Sequence, residues 1–171
     1  MAKAVVALGS NLAGEHASSE ALLDAALAAL GRVGMTVVSA SEAWRSAAWP
    51  DPGAPEFRNR VAVVETRLSP SEAMRGLLGL EQSFGRVRGG LNAARTLDLD
   101  LIDHGGWAGE APGLTLPHPR AHERLFVMGP LAEIAPEWVH PVLGLTAVEL
   151  ASSASVGVDA GPVLPRCNME R

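Results

Sequence analysis

Two aspartates near the middle of the chain carry the strongest chemical signal. Segment 95–101 reads RTLDLDL, the alternation typical of a β-strand with one apolar and one polar face. Asp98 and Asp100 then share the polar face, with Cα atoms about 6.6 to 6.8 Å apart. Carboxylates at this separation repel each other unless a cation lies between them. They can hold one or two Mg²⁺ ions for phosphoryl transfer; the alternative is a solvated strand face.

Arginines surround this segment in the sequence. Three precede or open it and two follow it: Arg86, Arg88, Arg95, Arg120 and Arg124. The planar guanidinium group matches phosphate oxygens with two parallel hydrogen bonds. Glycines between residues 85 and 90 would let the preceding loop close over a polyphosphate. The alternative is a basic surface loop whose arginines pair with nearby acids.

Other residues suit binding rather than chemistry. His118 lies between two prolines in segment 116–120, LPHPR, and could donate a hydrogen bond to a phosphate or act as an acid. The alternative for His118 is ordinary polar surface.

Phe57 and Phe126 could form the walls of a slot for a planar ligand, although a strand aromatic usually belongs to the core. Asn59 shares the strand parity of Phe57 and could hydrogen-bond the ring edge.

Composition excludes several familiar solutions to phosphate chemistry. Lys3 is the only lysine among 14 basic residues, so neither a Walker-type phosphate loop nor a protein-kinase fold is possible. A Schiff-base lysine is equally implausible. The net charge of −5 argues against a protein that binds nucleic acids without sequence specificity.

Length and cysteine content predict a single globular domain. The 171 residues suffice to bury a core, and Cys167 alone allows neither an internal disulfide nor a cysteine-rich zinc site. We recognise no signal peptide and no apolar run of about 18 residues, so the sequence predicts a cytoplasmic protein without a membrane contact.

The predicted elements alternate in a recognisable order. Apolar spacing indicates a strand at 3–8, a helix at 18–30 stopped by Gly31, and strands at 35–45 and 59–66. Ser69-Pro70-Ser71-Glu72 predicts a capped helix start, and a further strand at 95–103 follows. This order predicts a ferredoxin-like βαββαβ α+β fold: an antiparallel sheet with helices on one face, plus short C-terminal helices. One domain is expected at 1–151, with a loosely packed tail at 152–171.

The motifs together resemble the 6-hydroxymethyl-7,8-dihydropterin pyrophosphokinase family of folate biosynthesis. The resemblance covers roughly residues 5–150. It rests on the motifs GSNL at 9–12, Phe57 with Asn59, Glu81 with GRVR at 85–88, RTLDLD at 95–100, LPHPR at 116–120, Arg124 with Phe126, and Pro130-Leu131. It implies transfer of pyrophosphate from ATP to the pterin hydroxymethyl group, with release of AMP. It also implies two Mg²⁺ ions, with ATP and the pterin as small-molecule substrates. We expect a monomer with no nucleic-acid or membrane partner.

The resemblance assigns roles to residues of this chain. Catalytic roles fall to Arg86, Arg95, Asp98 and Asp100, of which Asp98 and Asp100 would be the metal ligands. ATP binding falls to Glu81, Arg88, Leu101, Thr115, His118 and Arg124. Pterin binding falls to Ser46, Ala47, Phe57, Asn59 and Phe126.

The chain also departs from the family pattern. A Thr-Pro-Pro-like stretch of many members is replaced by Ser46-Ala47-Ala48, and a tyrosine of some members by Phe57. The loop before Arg95 lacks the aromatic that some members carry. Two alternatives stay open: an ATP-dependent phosphotransferase acting on another planar heterocycle, and a non-catalytic ferredoxin-like interaction module.

Overall fold

The computed structural model describes residues 1–48, 53–85 and 96–163. None of the helices in these ranges is both long and apolar enough to cross a membrane. The elements are, in chain order, β1 (Ala2–Ser10), α1 (Ser19–Ala29), a 3₁₀ turn (Leu30–Val33), β2 (Met35–Ala40), β3 (Trp44–Ser46), β4 (Phe57–Thr66), α2 (Pro70–Ser83), β5 (Asp98–His104), β6 (Gly109–Ala111), β7 (Leu114–Leu116), a 3₁₀ turn (Ala121–Glu123), α3 (Leu125–Ile134), α4 (Ala147–Ser153) and β8 (Gly161–Pro162).

The main sheet is antiparallel, and the first strand lies inside it. The strand order is β5-β1-β4-β3-β8, and β2 pairs with the half of β4 that β3 leaves open. Strand β1 pairs with β4 along its whole length and with β5 on its other edge. β6 and β7 form a separate hairpin. The two interleaved strand-helix-strand halves confirm the predicted ferredoxin-like fold.

Each face of the sheet is covered by its own pair of helices. Helices α1 and α2 pack on one face around a first core, which includes Val6, Leu8, Leu22, Leu77, Leu97, Leu99 and Leu101. Helices α3 and α4 pack on the other face around a second core, which includes Val5, Val61, Ile102, Met128, Leu131 and Leu150. The prediction of helices on one face therefore holds for α1 and α2, whereas the C-terminal helices cover the opposite face.

The start of α2 has the predicted capping box. The Ser69 hydroxyl accepts from the Glu72 N–H at 3.2 Å, and the Glu72 carboxylate accepts from the Ser69 N–H at 2.8 Å. Pro70 occupies the first helical position, where a missing N–H costs nothing. These bonds also hold the pKa of Glu72 below its ordinary value, the backbone bond from Ser69 being the main cause.

The end of α1 differs from the prediction. The chain does not stop at Gly31 but continues through the 3₁₀ turn Leu30–Val33. It leaves this turn at Gly34, whose φ of 83° lies in the left-handed region that favours glycine. The extra turn places Leu30 in the first core, where its side chain is fully buried.

The predicted strand at 35–45 is in fact two strands, β2 and β3, because Ser41 interrupts the backbone ladder. The Ser41 N–H still donates to the Val61 carbonyl at 2.8 Å. The Val61 N–H, however, donates to the Ser41 hydroxyl at 3.0 Å, and the Ser41 carbonyl accepts from Nε of Arg60 at 2.7 Å. A side-chain oxygen thus replaces the carbonyl that a continuous strand would supply.

Residues 154–163 contact two parts of the fold. Strand β8 pairs with β3, and the Val156 carbonyl accepts from the Leu125 N–H at 2.9 Å. The division into a domain at 1–151 and a tail at 152–171 stays a prediction.

Candidate active site

Strand β5 presents Asp98 and Asp100 on the face of the sheet opposite the first core. Leu99 and Leu101, which alternate with them, are buried against α1 and α2. The preceding Leu97 is buried in the same core, although it lies just outside the strand. Both aspartates are only half-buried. The predicted alternation therefore places the two carboxylates together at an open part of the sheet.

A glycine separates the aspartates from the neighbouring polar strand. Gly9 of β1 pairs with Asp98 on one side and with Asn59 of β4 on the other. Directly paired residues of antiparallel strands point to the same face, so a side chain at position 9 would stand between Asp98 and Asn59. A Cβ there would lie 3.5 Å from Oδ1 of Asn59. Gly9 thereby leaves space on the sheet surface.

This space is the floor of a cavity of about 300 Å³. We call it the aromatic cavity, because Phe57 and Phe126 both line it. Six further predicted site residues line it as well: Ser46, Ala47, Asn59, Asp98, Asp100 and Arg124. The structure therefore brings together every residue that the sequence analysis assigns to pterin binding, along with both aspartates.

The polar groups of the aromatic cavity are held in place. Asn59 is buried, and its Nδ2 donates to the Ser46 hydroxyl at 2.9 Å, which fixes the plane of the amide. The carbonyl oxygen and the second amide hydrogen of Asn59 then remain as edge-reading groups. The Arg124 guanidinium lies 5.8 Å from the centre of the Phe126 ring, a cation–π distance.

A second cavity, of about 450 Å³, lies beside the β6–β7 hairpin. We call it the hairpin cavity. Leu101, Thr115 and His118 line it together, as the sequence analysis predicts for an ATP site. Met74, Glu110 and Leu114 complete much of its wall. Asp100 lines both cavities, so the two spaces adjoin at this residue.

His118 is held as a hydrogen-bond donor toward the hairpin cavity. Its Nδ1 accepts from the backbone N–H of Arg120 at 3.2 Å, and the backbone N–H of His118 donates to the Ile102 carbonyl at 2.9 Å. An imidazole that accepts at Nδ1 carries its proton at Nε2. Burial lowers the pKa of His118, against the raising effect of Asp100, while Arg124 and Arg120 lower it further. His118 is therefore neutral near pH 7.

The lowered pKa of His118 predicts a measurable pH dependence of stability. Between this lowered pKa and the ordinary value of 6.5, the unfolded chain binds more protons than the folded one. Stability is therefore expected to fall as the pH falls through this window. His118→Gln should flatten the slope of unfolding free energy measured in urea between pH 5 and 7. An unchanged slope would contradict the assignment, and His16→Gln, outside both cavities, controls for loss of an imidazole.

Glu81 lies outside both cavities in the part of the chain that the structure describes. Its side chain is 4% exposed, and Oε1 accepts from the Leu99 N–H at 2.8 Å. This bond ties the end of α2 to β5 directly between the two aspartates. The described contact is thus a positioning one, and the ATP-binding role of Glu81 stays a prediction.

Replacing Glu81 tests which of these roles dominates. Glu81→Ala leaves the buried Leu99 N–H without this acceptor, which should cost about 1–3 kcal/mol in urea unfolding. Glu81→Gln keeps an acceptor oxygen and should cost less. A rise in the KM for ATP with unchanged stability would instead support the ATP-binding role.

Three predicted catalytic and phosphate-binding arginines lie outside the described residues: Arg86, Arg88 and Arg95. Their roles stay predictions. Within residues 1–48, 53–85 and 96–163, no group of three or more His, Cys, Asp or Glu side chains is arranged as a metal site. The metal-ligand role of Asp98 and Asp100 stays a prediction.

Some residues at the aromatic cavity were not predicted from the sequence. Val156 lines it, although it belongs to the predicted tail. Asp159 does not line it, but its carboxylate accepts at 2.7 Å from the N–H of Ala47, which does. No local pattern could reveal a bond between residues 112 positions apart. Gly9 also contributes, and its GSNL motif was the only signal for it.

The ferredoxin-like fold places an aromatic slot beside a pair of carboxylates, an arrangement that suits a phosphotransfer enzyme. Residues 5–136 match the family model described as 7,8-dihydro-6-hydroxymethylpterin-pyrophosphokinase (HPPK). The chain belongs to this family of pyrophosphokinases, which confirms the resemblance seen in the sequence.

Similar proteins from several organisms agree with this membership. The 2-amino-4-hydroxy-6-hydroxymethyldihydropteridine pyrophosphokinase of a Synechocystis species is 43% identical over 148 residues, which cover 86% of this chain and 73% of that protein. The Haemophilus influenzae protein of the same name is 38% identical over 82% of this chain and 86% of its own length.

Longer proteins also contain a matching part. The folic acid synthesis protein fol1 of Pneumocystis carinii is 34% identical over 94% of this chain but only 21% of its own length. A triple mutant of Plasmodium falciparum HPPK-DHPS, solved by crystallography, superposes with a TM-score of 0.69 at 14% identity. The match covers 88% of this chain and 44% of that one, and it supports the fold.

Proposed function

We propose that the chain transfers a pyrophosphoryl group from ATP to the hydroxymethyl group of 6-hydroxymethyl-7,8-dihydropterin and releases AMP, with Mg²⁺ held by Asp98 and Asp100. The family membership supports the reaction. The observation that carries the site assignment is that Asp100 lines both cavities. A group transfer between two substrates needs both reacting ends at one point, and this carboxylate marks that point.

The aromatic cavity suits the pterin. Phe57 and Phe126 offer ring faces for stacking a planar heterocycle, and the fixed amide of Asn59 can donate to and accept from its edge. The pterin hydroxymethyl group would then point toward Asp98 and Asp100. The hairpin cavity suits ATP, because the Nε2–H of His118 can donate to a phosphate oxygen beside Asp100.

The two aspartates fit Mg²⁺ in donor type and number. Mg²⁺ prefers hard oxygen ligands, and it is commonly bound by one or two carboxylates together with substrate phosphates and water. Asp98 and Asp100 provide such a pair on one strand face, half-exposed to the cavities. When bound there, Mg²⁺ would neutralise phosphate charge and increase the acidity of the hydroxymethyl group.

The chain contributes mainly position and charge to the reaction. The hydroxymethyl oxygen forms a bond to the β-phosphorus in line as the bond from that phosphorus to the AMP oxygen breaks, and the hydroxyl proton leaves to water. Phe57 and Phe126 hold the nucleophile, while Arg124 and His118 offer donors to the charge that develops on the phosphate oxygens. Arg86, Arg88 and Arg95 are proposed to add further guanidinium groups.

The direct test is production of AMP. The full chain is mixed with Mg²⁺, ATP and 6-hydroxymethyl-7,8-dihydropterin, and AMP is measured by chromatography against a control without pterin. We expect AMP to appear only in the complete mixture and to vanish when EDTA removes the metal. AMP formation no faster than in the pterin-free control would refute the proposed reaction. Equal turnover with another planar heterocycle would favour the broader phosphotransferase.

The remaining properties of the protein are proposals as well. The chain is expected to work as a monomer in the cytoplasm, with ATP and the pterin as partners. Analytical ultracentrifugation of the full chain would report the oligomeric state.

A further inference from the structure

Residues 155–163 cross between the two walls of the aromatic cavity; we call them the C-terminal strap. One end is anchored beside α3. The N–H groups of Ser155 and Val156 both donate to the Glu123 carbonyl, at 3.0 and 2.9 Å. The Val156 carbonyl in turn accepts from the Leu125 N–H at 2.9 Å. These bonds attach the strap to the segment that carries Arg124 and Phe126.

The other end of the strap is anchored on β3. Strand β8 pairs with β3, and the Val163 N–H donates to the Ala43 carbonyl at 2.9 Å. Between these anchors, Oδ2 of Asp159 accepts from the Ala47 N–H at 2.7 Å. A hydrogen bond to a charged acceptor at this distance is of the stronger kind. The strap therefore holds Ala47, the residue directly after β3, in place.

The middle of the strap lies against the Phe126 ring. Gly157 has a φ of +68°, and a Cβ built on it would lie 2.5 Å from Cδ1 of Phe126. This approach is closer than any side chain permits, so only glycine lets the strap pass the ring in this position. Val156, the next residue back, lines the cavity itself.

A short series of contacts joins Asp159 to the edge-reading amide. Asp159 fixes the N–H of Ala47, the neighbouring Ser46 lines the cavity, and the Ser46 hydroxyl accepts from Nδ2 of Asn59. A shift of the Ser46–Ala47 segment would therefore turn the Asn59 amide and move one wall of the slot. The same strap contacts Phe126 on the opposite wall.

We propose that the C-terminal strap is part of the pterin subsite and that Asp159 is a positioning residue for pterin recognition. The strap holds the wall formed by Ser46 and Phe57 in a fixed position relative to the wall formed by Phe126. Asp159 does not touch the substrate; it acts through the Ala47 N–H. The inference rests on the proposed function, because it assigns the aromatic cavity to the pterin.

The test compares KM values for the two substrates in the full-length chain. Asp159→Ala should raise the KM for 6-hydroxymethyl-7,8-dihydropterin about three- to tenfold, as expected for loss of one hydrogen bond, and leave the KM for ATP unchanged. Asp159→Asn keeps an acceptor oxygen and should restore most of the wild-type value. Val148→Ala, an exposed position on α4 outside the strap and both cavities, is the control and should change neither KM.

Gly157→Ala provides an independent second variant. The added Cβ must displace Phe126, so the KM for the pterin should rise again while the KM for ATP holds. The proposal is overturned if Asp159→Ala leaves the KM for the pterin unchanged, or raises both KM values equally. Absence of AMP from the wild-type chain would instead refute the reaction itself, so the two failures are distinguishable.

Discussion

Asp98→Asn and Asp100→Asn are each expected to lower the rate of AMP release on the order of 10²–10³-fold. Asparagine keeps the shape of the side chain but removes the charge that holds Mg²⁺, and metal stabilisation of phosphoryl transfer amounts to several kcal/mol. Asp100→Asn should have the larger effect, because this residue borders both cavities. The measurement is AMP production at saturating pterin over a range of Mg²⁺ concentrations.

A measurement of thermal stability distinguishes this loss of activity from misfolding. Both aspartates are half-buried on the face away from the first core, so the thermal midpoint should stay close to that of the wild type. Asp24→Asn, an exposed carboxylate that pairs with Arg60, is the matched control and should retain turnover. Near-normal turnover in both β5 variants would remove the metal assignment.

Phe126→Ala should raise the KM for the pterin about 5- to 150-fold. Stacking of a base-sized ring on an aromatic side chain is typically worth about 1–3 kcal/mol, which corresponds to this range. Phe126 also carries the contact with Arg124 and the close approach of Gly157, so its loss affects a complete wall of the cavity. The KM for ATP should stay unchanged, because Phe126 does not line the hairpin cavity.

The third phenylalanine provides the control for this change. Phe84 follows α2, packs partly against the first core and stacks with His16, outside the aromatic cavity. Phe84→Ala should lower stability through lost packing and leave the KM for the pterin unchanged. If both variants raised this KM equally, the effect would be one of general stability and Phe126 would lose its assigned role.

Much of the fold was predictable because its signals are local. The alternation in RTLDLDL fixes which side chains of β5 share a face, and the Ser69 capping box marks the start of α2. The break between β2 and β3 was not predictable. There the Ser41 hydroxyl accepts the hydrogen bond that a backbone carbonyl would accept in a continuous strand, and this substitution does not change the pattern of apolar residues in the sequence. The stop at Gly34 rather than Gly31 depends on burial of Leu30, which is a tertiary property.

The candidate site was also predictable only in part. Residue types and family motifs name the aspartates, the phenylalanines, Asn59 and His118, and the structure brings these residues to two adjoining cavities. The meeting of both cavities at Asp100 requires the β6–β7 hairpin to lie beside β5, which no spacing in the sequence shows. The strap contacts at Asp159 and Gly157 likewise arise only from the folded chain.

The position of β1 inside the sheet has a consequence for how the chain acquires its structure. Strand β1 pairs with residues 58–66 and 98–104, which are synthesised much later than β1 itself, so both of its edges stay unpaired until these segments follow. Such distant pairings require large loops to close before they contribute stability, which slows folding. The floor of the candidate active site, where Gly9 lies between Asp98 and Asn59, therefore forms only after β5 has been synthesised.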